Sequence, residues 1–151
     1  MESKSVDVMN IDGVSKEFTI YQIPAIGMKS FLDKYNEHSR LSGHELLSLL
    51  SQSGVDINQV DDHEQLARLE NEIILFNTEF IRDRKRLRIP TFKSKFVPQG
   101  YANADPFIAS IISSGMATYL QLKNELSLEE AFTLWEISTT NKINEMKAVE
   151  S

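Results

Sequence analysis

Three histidines, His38, His44 and His63, are the side chains of this sequence whose ordinary chemistry suits proton transfer or metal binding near neutral pH. A zinc site on one helix face needs two ligands four residues apart, and no pair of these histidines has that spacing. The chain has no cysteine, which removes thiolate ligands, thiol nucleophiles and disulfide staples together. The histidines are therefore read as surface residues in polar helix starts. Serine is plentiful, but no Gly-x-Ser-x-Gly turn presents one as a nucleophile, and Ser113-Ser114-Gly115 reads as a helix end. Gly13, Gly27, Gly43, Gly54, Gly100 and Gly115 stand alone, so no glycine-rich loop cradles a phosphate. The acidic pairs Asp61-Asp62 and Glu129-Glu130 fall where a helix start favours negative charge, which accounts for them without acid–base work. No Asp-x-Asp-x-Asp-Gly calcium loop occurs. The expectation is a protein that is not an enzyme, with no catalytic, cofactor or metal residues.

A basic stretch is chemically distinctive. Arg82, Arg84, Lys85, Arg86, Arg88, Lys93 and Lys95 oppose a single acid, Asp83, between positions 82 and 95. This local charge of +6 sits in a chain of net charge −6, leaving −12 on the rest. Such cations neutralise phosphates, and Phe92 and Phe96 can stack on bases. The overall acidity argues against nucleic acid as the main partner. Two other readings stand beside it: a solvated helix end whose cations complement the dipole, and a dock for an acidic protein or for the chain's own acidic remainder.

The elements that must carry these residues are mostly helical. Val6 to Ile11 and Lys16 to Ile23 alternate apolar and polar around Asp12-Gly13, which predicts a β-hairpin over residues 5–23 with a two-residue turn. Two strands alone are barely stable in water, so the hairpin must pack on helices, join a larger sheet or pair with another subunit. Met28, Phe31, Leu32 and Tyr35 predict a helix over 25–39. Ser42 with Glu45 makes a capping box for a second helix that stops near Gly54, before a connector at 55–60. Asp61 or Asp62 opens a third, in which Leu66, Leu69, Ile73, Phe76 and Phe80 follow at steps of 3, 4, 3 and 4. This seam could run to Leu87. It suits self-association, and equally the interior face of a helix packed on its own domain. Pro90, Pro98, Gly100 and Pro106 punctuate a break without periodicity. Asp105-Pro106 then opens a helix with Phe107, Ile108, Ile111 and Ile112 on one face, and Gly115 ends it. Tyr119, Leu120 and Leu122 suggest a short turn of helix. Ser127 to Glu130 forms a second capping box, leading into Leu128, Ala131, Phe132 and Trp135.

The resulting fold class is mainly α with a small N-terminal β-hairpin (α+β): a helical domain plus a C-terminal helical hairpin. The division is a hairpin and helical domain over 1–87, a basic, proline-containing linker over 88–105 and a C-terminal helical segment over 106–151. The apolar and charged fractions, 41% and 25%, are those of a folded domain. The N-terminus has no apolar core of a signal peptide, and no stretch has the ~20 apolar residues that span a bilayer. A cytoplasmic protein without a membrane role is expected. Phe107, Ile111, Phe132 and Trp135, with the 66–80 seam, are candidates for protein binding or self-association. The pattern leaves two arrangements open for residues 104–151: docked on the N-terminal part, or swinging free of it.

The order of parts resembles the phage tail assembly chaperones. The hairpin segment Ile11-Asp12-Gly13-Val14-Ser15-Lys16-Glu17-Phe18-Thr19-Ile20 leads through Ile23-Pro24 into an amphipathic helix. Further helices follow, and the chain closes on Leu126-Ser127-Leu128-Glu129-Glu130-Ala131-Phe132-Thr133-Leu134-Trp135-Glu136-Ile137. The likeness is one of architecture over most of the chain. It implies a small, acidic, non-enzymatic factor of tailed phages or prophages, acting in the host cytoplasm. Such a factor binds the helical tape measure protein, the tail tube protein or both while the tail is built. Homo-oligomers are compatible with it. The basic stretch departs from that pattern and keeps two alternatives open: a small nucleic-acid-binding regulator using residues 82–95, and a structural component retained in the virion.

Overall fold

The computed structural model describes residues 1–91 and 99–150. The fold is mainly α with a small N-terminal hairpin, as the sequence predicts. Strand β1 (Ser3–Met9) pairs antiparallel with β2 (Ser15–Tyr21), in a register that sets Val6 opposite Phe18 and Val8 opposite Lys16. The turn is one residue longer than the Asp12-Gly13 pattern predicts. Asn10 and Val14 still pair, the Gly13 N–H donates to the Asn10 carbonyl, and Gly13 adopts φ +79°. The Asn10 side chain makes the difference, because its Oδ1 accepts from both the Asp12 and Val14 amides and fixes a three-residue loop.

Helices α1 (Ala25–His38), α2 (Gly43–Gln52) and α3 (His63–Thr78) cover one face of the hairpin. Val6, Val8, Phe18 and Ile20 point into a core shared with Met28, Phe31, Leu49, Leu50, Leu69 and Ile73. The caps follow from the sequence. Ser42 and Glu45 exchange the two bonds of a capping box, and the Asp62 side chain accepts from Gln65 N–H. Helix α2 stops at Ser53, and Gly54 at φ +81° turns the chain. A Cβ there would lie 2.8 Å from the Tyr21 ring, so both conformation and space require glycine.

The third helix does not reach Leu87. Helix α3 ends at Thr78, and a short α4 (Phe80–Asp83) ends at Arg84, whose backbone is extended at φ −79°, ψ 129°. Two causes are visible. Asn77 Nδ2 and Thr78 Oγ1 donate back to the carbonyls of Ile73 and Ile74, a habit that bends helices. Arg84 then leaves the helix to bind Glu136 and Thr133 on the far side of the chain.

The C-terminal helices dock on the N-terminal half. Helix α5 (Pro106–Ser113), opened by Asp105 and Pro106, packs on the long α7 (Leu128–Glu150), while α6 (Tyr119–Asn124) packs on α1 and α7 packs on both α1 and α3. Ala25 joins Ile108, Ile111, Ala117, Leu122 and Ala131 in a second apolar cluster, while Leu128 belongs to the first. Pro24 and Ser127 form an antiparallel bridge, and the Ala25 N–H donates to the Leu126 carbonyl at 2.7 Å. Among the described residues, no helix is long and apolar enough to cross a membrane.

Asn77 is the polar hinge of this core. It is buried, and its Oδ1 accepts the Ile23 N–H at 2.8 Å. Replacing Asn77 by Leu strands that donor in an apolar interior, at a cost of about 1–3 kcal/mol. Urea unfolding of Asn77→Leu is expected to show the loss, with Glu79→Gln on the exposed side of the same turn near wild type. Equal stability of all three would contradict the assignment.

Candidate functional site

Helix α1 has two working faces. Ala25, Met28 and Phe31 face the core. Ile26, Lys29, Ser30, Asp33, Lys34 and Glu37, spaced by threes and fours on another face, line a groove of about 630 Å³. The facing wall is α5, which contributes Ile108, Ala109 and Ile112 to the floor. Tyr101 on the chain entering α5 and Tyr119 at the start of α6 complete it, and both are exposed.

A three-residue charge cluster holds the walls together. Lys29 Nζ lies 2.7 Å from Asp33 Oδ2 and 3.0 Å from Asp105 Oδ2, the first along α1 and the second across to α5. Asp105 also caps α5, because its Oδ1 accepts the backbone amides of Phe107 and Ile108. Burial disfavours the charge on Lys29, but hydrogen bonds to Asp33 and Asp105 outweigh it and raise its pKa above the usual amine value. Burial likewise opposes charge on Asp105. The Lys29 hydrogen bond and the two capping amides win, and its pKa falls below the usual value. Lys29 also stands 6.0 Å from the centre of the Phe107 ring, so the cluster rests on the aromatic interior.

The groove can bind an apolar side-chain row between two helices and orient it by rim charges. Among the described residues, no group of three or more His, Asp or Glu side chains is placed to hold a metal ion. His38, His44 and His63 are all exposed.

The sequence-derived binding residues lie elsewhere. Leu69 and Ile73 are fully buried, and Leu66, Phe76 and Phe80 pack against the same core. The 66–80 seam is thus taken up by the chain's own hairpin and helices. Ile111 is buried in the second cluster. Phe107, Phe132 and Trp135 are half-buried and meet in a row: ring centres lie 4.7 Å apart for Phe107–Phe132 and 6.0 Å for Phe107–Trp135, and Phe80 meets Phe132 at 5.5 Å. This row joins α4, α5 and α7.

The basic stretch divides. Arg84 is half-buried and spans Glu136 with two hydrogen bonds, 3.1 and 2.9 Å, and Thr133 with a third at 2.9 Å. Its guanidinium lies 5.8 Å and 6.0 Å from the Phe80 and Phe132 ring centres. Arg84 therefore acts as a structural clamp. Arg82 is exposed and stands 3.8 Å from Asp83. Lys85, Arg86 and Arg88 are exposed along α7, near Glu136 and Thr140. Lys93 and Lys95, with Phe92 and Phe96, lie outside the described residues.

The α1 wall of the groove and its charge cluster are what sequence reasoning missed, whereas Ile108 and Ile112 stand on the apolar face that the Asp105-Pro106 helix start predicts. The outer face of α1 is polar by residue type, and Asp105 reads as a cap. One signal was present: Ile26 stands at helical spacing from the polar Lys29, Ser30 and Asp33.

Comparison of the chain with protein-family models, with curated proteins and with solved structures finds no match.

The charge cluster makes stability depend on pH in a defined way. Lys29, with a raised folded pKa, contributes stability that is full below the ordinary amine value and is lost as pH rises through the raised one. Asp105, with a lowered folded pKa, contributes above the ordinary carboxylate value and loses that contribution as pH falls through the lowered one. The stability gap between wild type and Lys29→Met should be widest between roughly pH 5 and 10 and close on both sides. Urea midpoints across that range measure it. A gap independent of pH would contradict the pairing.

Proposed function

We propose that this chain is a non-enzymatic assembly factor of the phage tail assembly chaperone kind, and that its groove between α1 and α5 takes a helical, apolar segment of a client. The tape measure protein, the tail tube protein or both are the clients this reading names, and the host cytoplasm is where it places the encounter. The groove is the observation that carries the reading. It offers the partly buried Ile26 and Ile112 to a partner, although the core of the chain, Ile108 included, is already closed by its own helices. A client that exposes an apolar helix stripe during assembly is prone to aggregate, and helix-in-groove packing covers such a stripe. The net charge of −6 favours solubility of the complex.

A second reading has its own support. Lys85, Arg86 and Arg88 have no carboxylate at ion-pairing distance among the described residues. They leave positive charge for a nucleic acid along α7. A structural virion component is the third possibility, set apart by retention in the finished particle.

An affinity pull-down from the native host, with nuclease and at low and high salt, separates the readings. Recovery of a tape measure or tail tube protein that persists at high salt is expected, because apolar contacts are not screened. Ile112→Asp, shown to be folded by circular dichroism, should lose it. Recovery of nucleic acid alone in a parallel sample without nuclease, falling as salt rises, would overturn the proposal in favour of the basic segment.

A further inference from the structure

The groove carries more information than its apolar floor, because its rim is unequally charged. Three carboxylates, Asp33, Glu37 and Asp105, face two amines, Lys29 and Lys34. Lys29 is committed between Asp33 and Asp105. Lys34 leans toward Glu45, which lies outside the groove, with Nζ 3.8 Å from Oε2. Asp33 is half-exposed on its side chain despite its bond to Lys29, and Glu37 is more exposed still. The rim therefore presents net negative charge to an incoming segment, close to the C-terminal end of α1, where the helix dipole adds to it. Tyr101 adds an exposed aromatic ring, a surface on which a cation can sit. Lys123 stands 5.9 Å from the centre of the Tyr119 ring and does not line the groove.

Size limits the occupant. A whole helix about 10 Å across fills some 630 Å³ in only about 8 Å of its length. The groove thus admits the apolar side chains of one or two turns and leaves the flanks of that helix at the charged rim. We infer that the client segment is a basic amphipathic helix, with apolar residues three and four apart facing Ile26 and Ile112, and Lys or Arg on its flank against Asp33 and Glu37. This inference rests on the proposed role of the groove and names the chemistry of the partner.

Two synthetic peptides test it. Both carry the same leucine stripe at helical spacing; one has lysine at the flanking positions and the other glutamate. Fluorescence anisotropy at low salt, on the full chain, should show the lysine peptide binding about tenfold tighter, the size expected from a few exposed ion pairs. The double variant Asp33→Lys, Glu37→Lys should reverse that preference, and Ile112→Asp should weaken both peptides. Equal affinity of the two peptides, lost in Ile112→Asp, would overturn the charge inference and leave the groove as the binding site. Binding of neither peptide would overturn both. A lysine preference untouched by the Asp33 and Glu37 changes would place the contact elsewhere on the acidic surface and overturn the inference alone.

Discussion

Three consecutive residues, Ile23, Pro24 and Ala25, join parts of the chain that are far apart in sequence. The Ile23 amide donates to the buried Asn77 of α3, Pro24 bridges to Ser127, and the Ala25 amide donates to the Leu126 carbonyl. Proline itself has no amide to satisfy, and its φ of −55° suits the entry into a helix. The constraint is strict, because each buried amide needs its partner. It fixes the end of the hairpin, the start of α1 and the start of α7 at one place. The two apolar clusters are built outward from that junction, one on each side.

The groove is a product of the same junction. Helix α1 presents its inner face to the first cluster, and its first turn, through Ala25 and Ile26, to the second. Docking of α5 beside it leaves a channel where the polar face of one helix meets the apolar flank of the other. The Lys29–Asp105 tie and the cap on α5 use the same carboxylate, so the wall position and the helix start are set together. A binding surface made in this way is preformed, which lowers the ordering cost of taking up a partner. The Arg84 clamp and the row of Phe80, Phe107, Phe132 and Trp135 tie α4, α5 and α7 together.

Local features of the fold were legible in the sequence, and long-range ones were not. The capping boxes at Ser42 and Ser127, the Asp105-Pro106 start and the glycine stops at Gly54 and Gly115 rest on contacts within a few residues, and the residue types state them directly. The seam from Leu66 to Phe80 was visible as a periodicity, but period alone does not say what covers a face. Here the hairpin and neighbouring helices do. Helix α3 stopped early through the side chains of Asn77 and Thr78 and through the pull of Glu136 on Arg84, and only the last is invisible to local reading. The groove was hidden because it belongs to two helices separated by some seventy residues, and because Lys29 and Asp33 look like an ordinary solvated pair until Asp105 is brought to them.

Amide hydrogen exchange at Ala25, compared with Ile23, probes this junction. Both amides belong to the first residues after the hairpin, yet one is held by α3 and the other by the chain entering α7. If the C-terminal helices are docked as described, Ala25 and Ile23 exchange with comparable strong protection, opening only with the core. Rapid exchange at Ala25 beside a protected Ile23 would show the C-terminal half detaching on its own, and a groove with α5 as its wall would not stand.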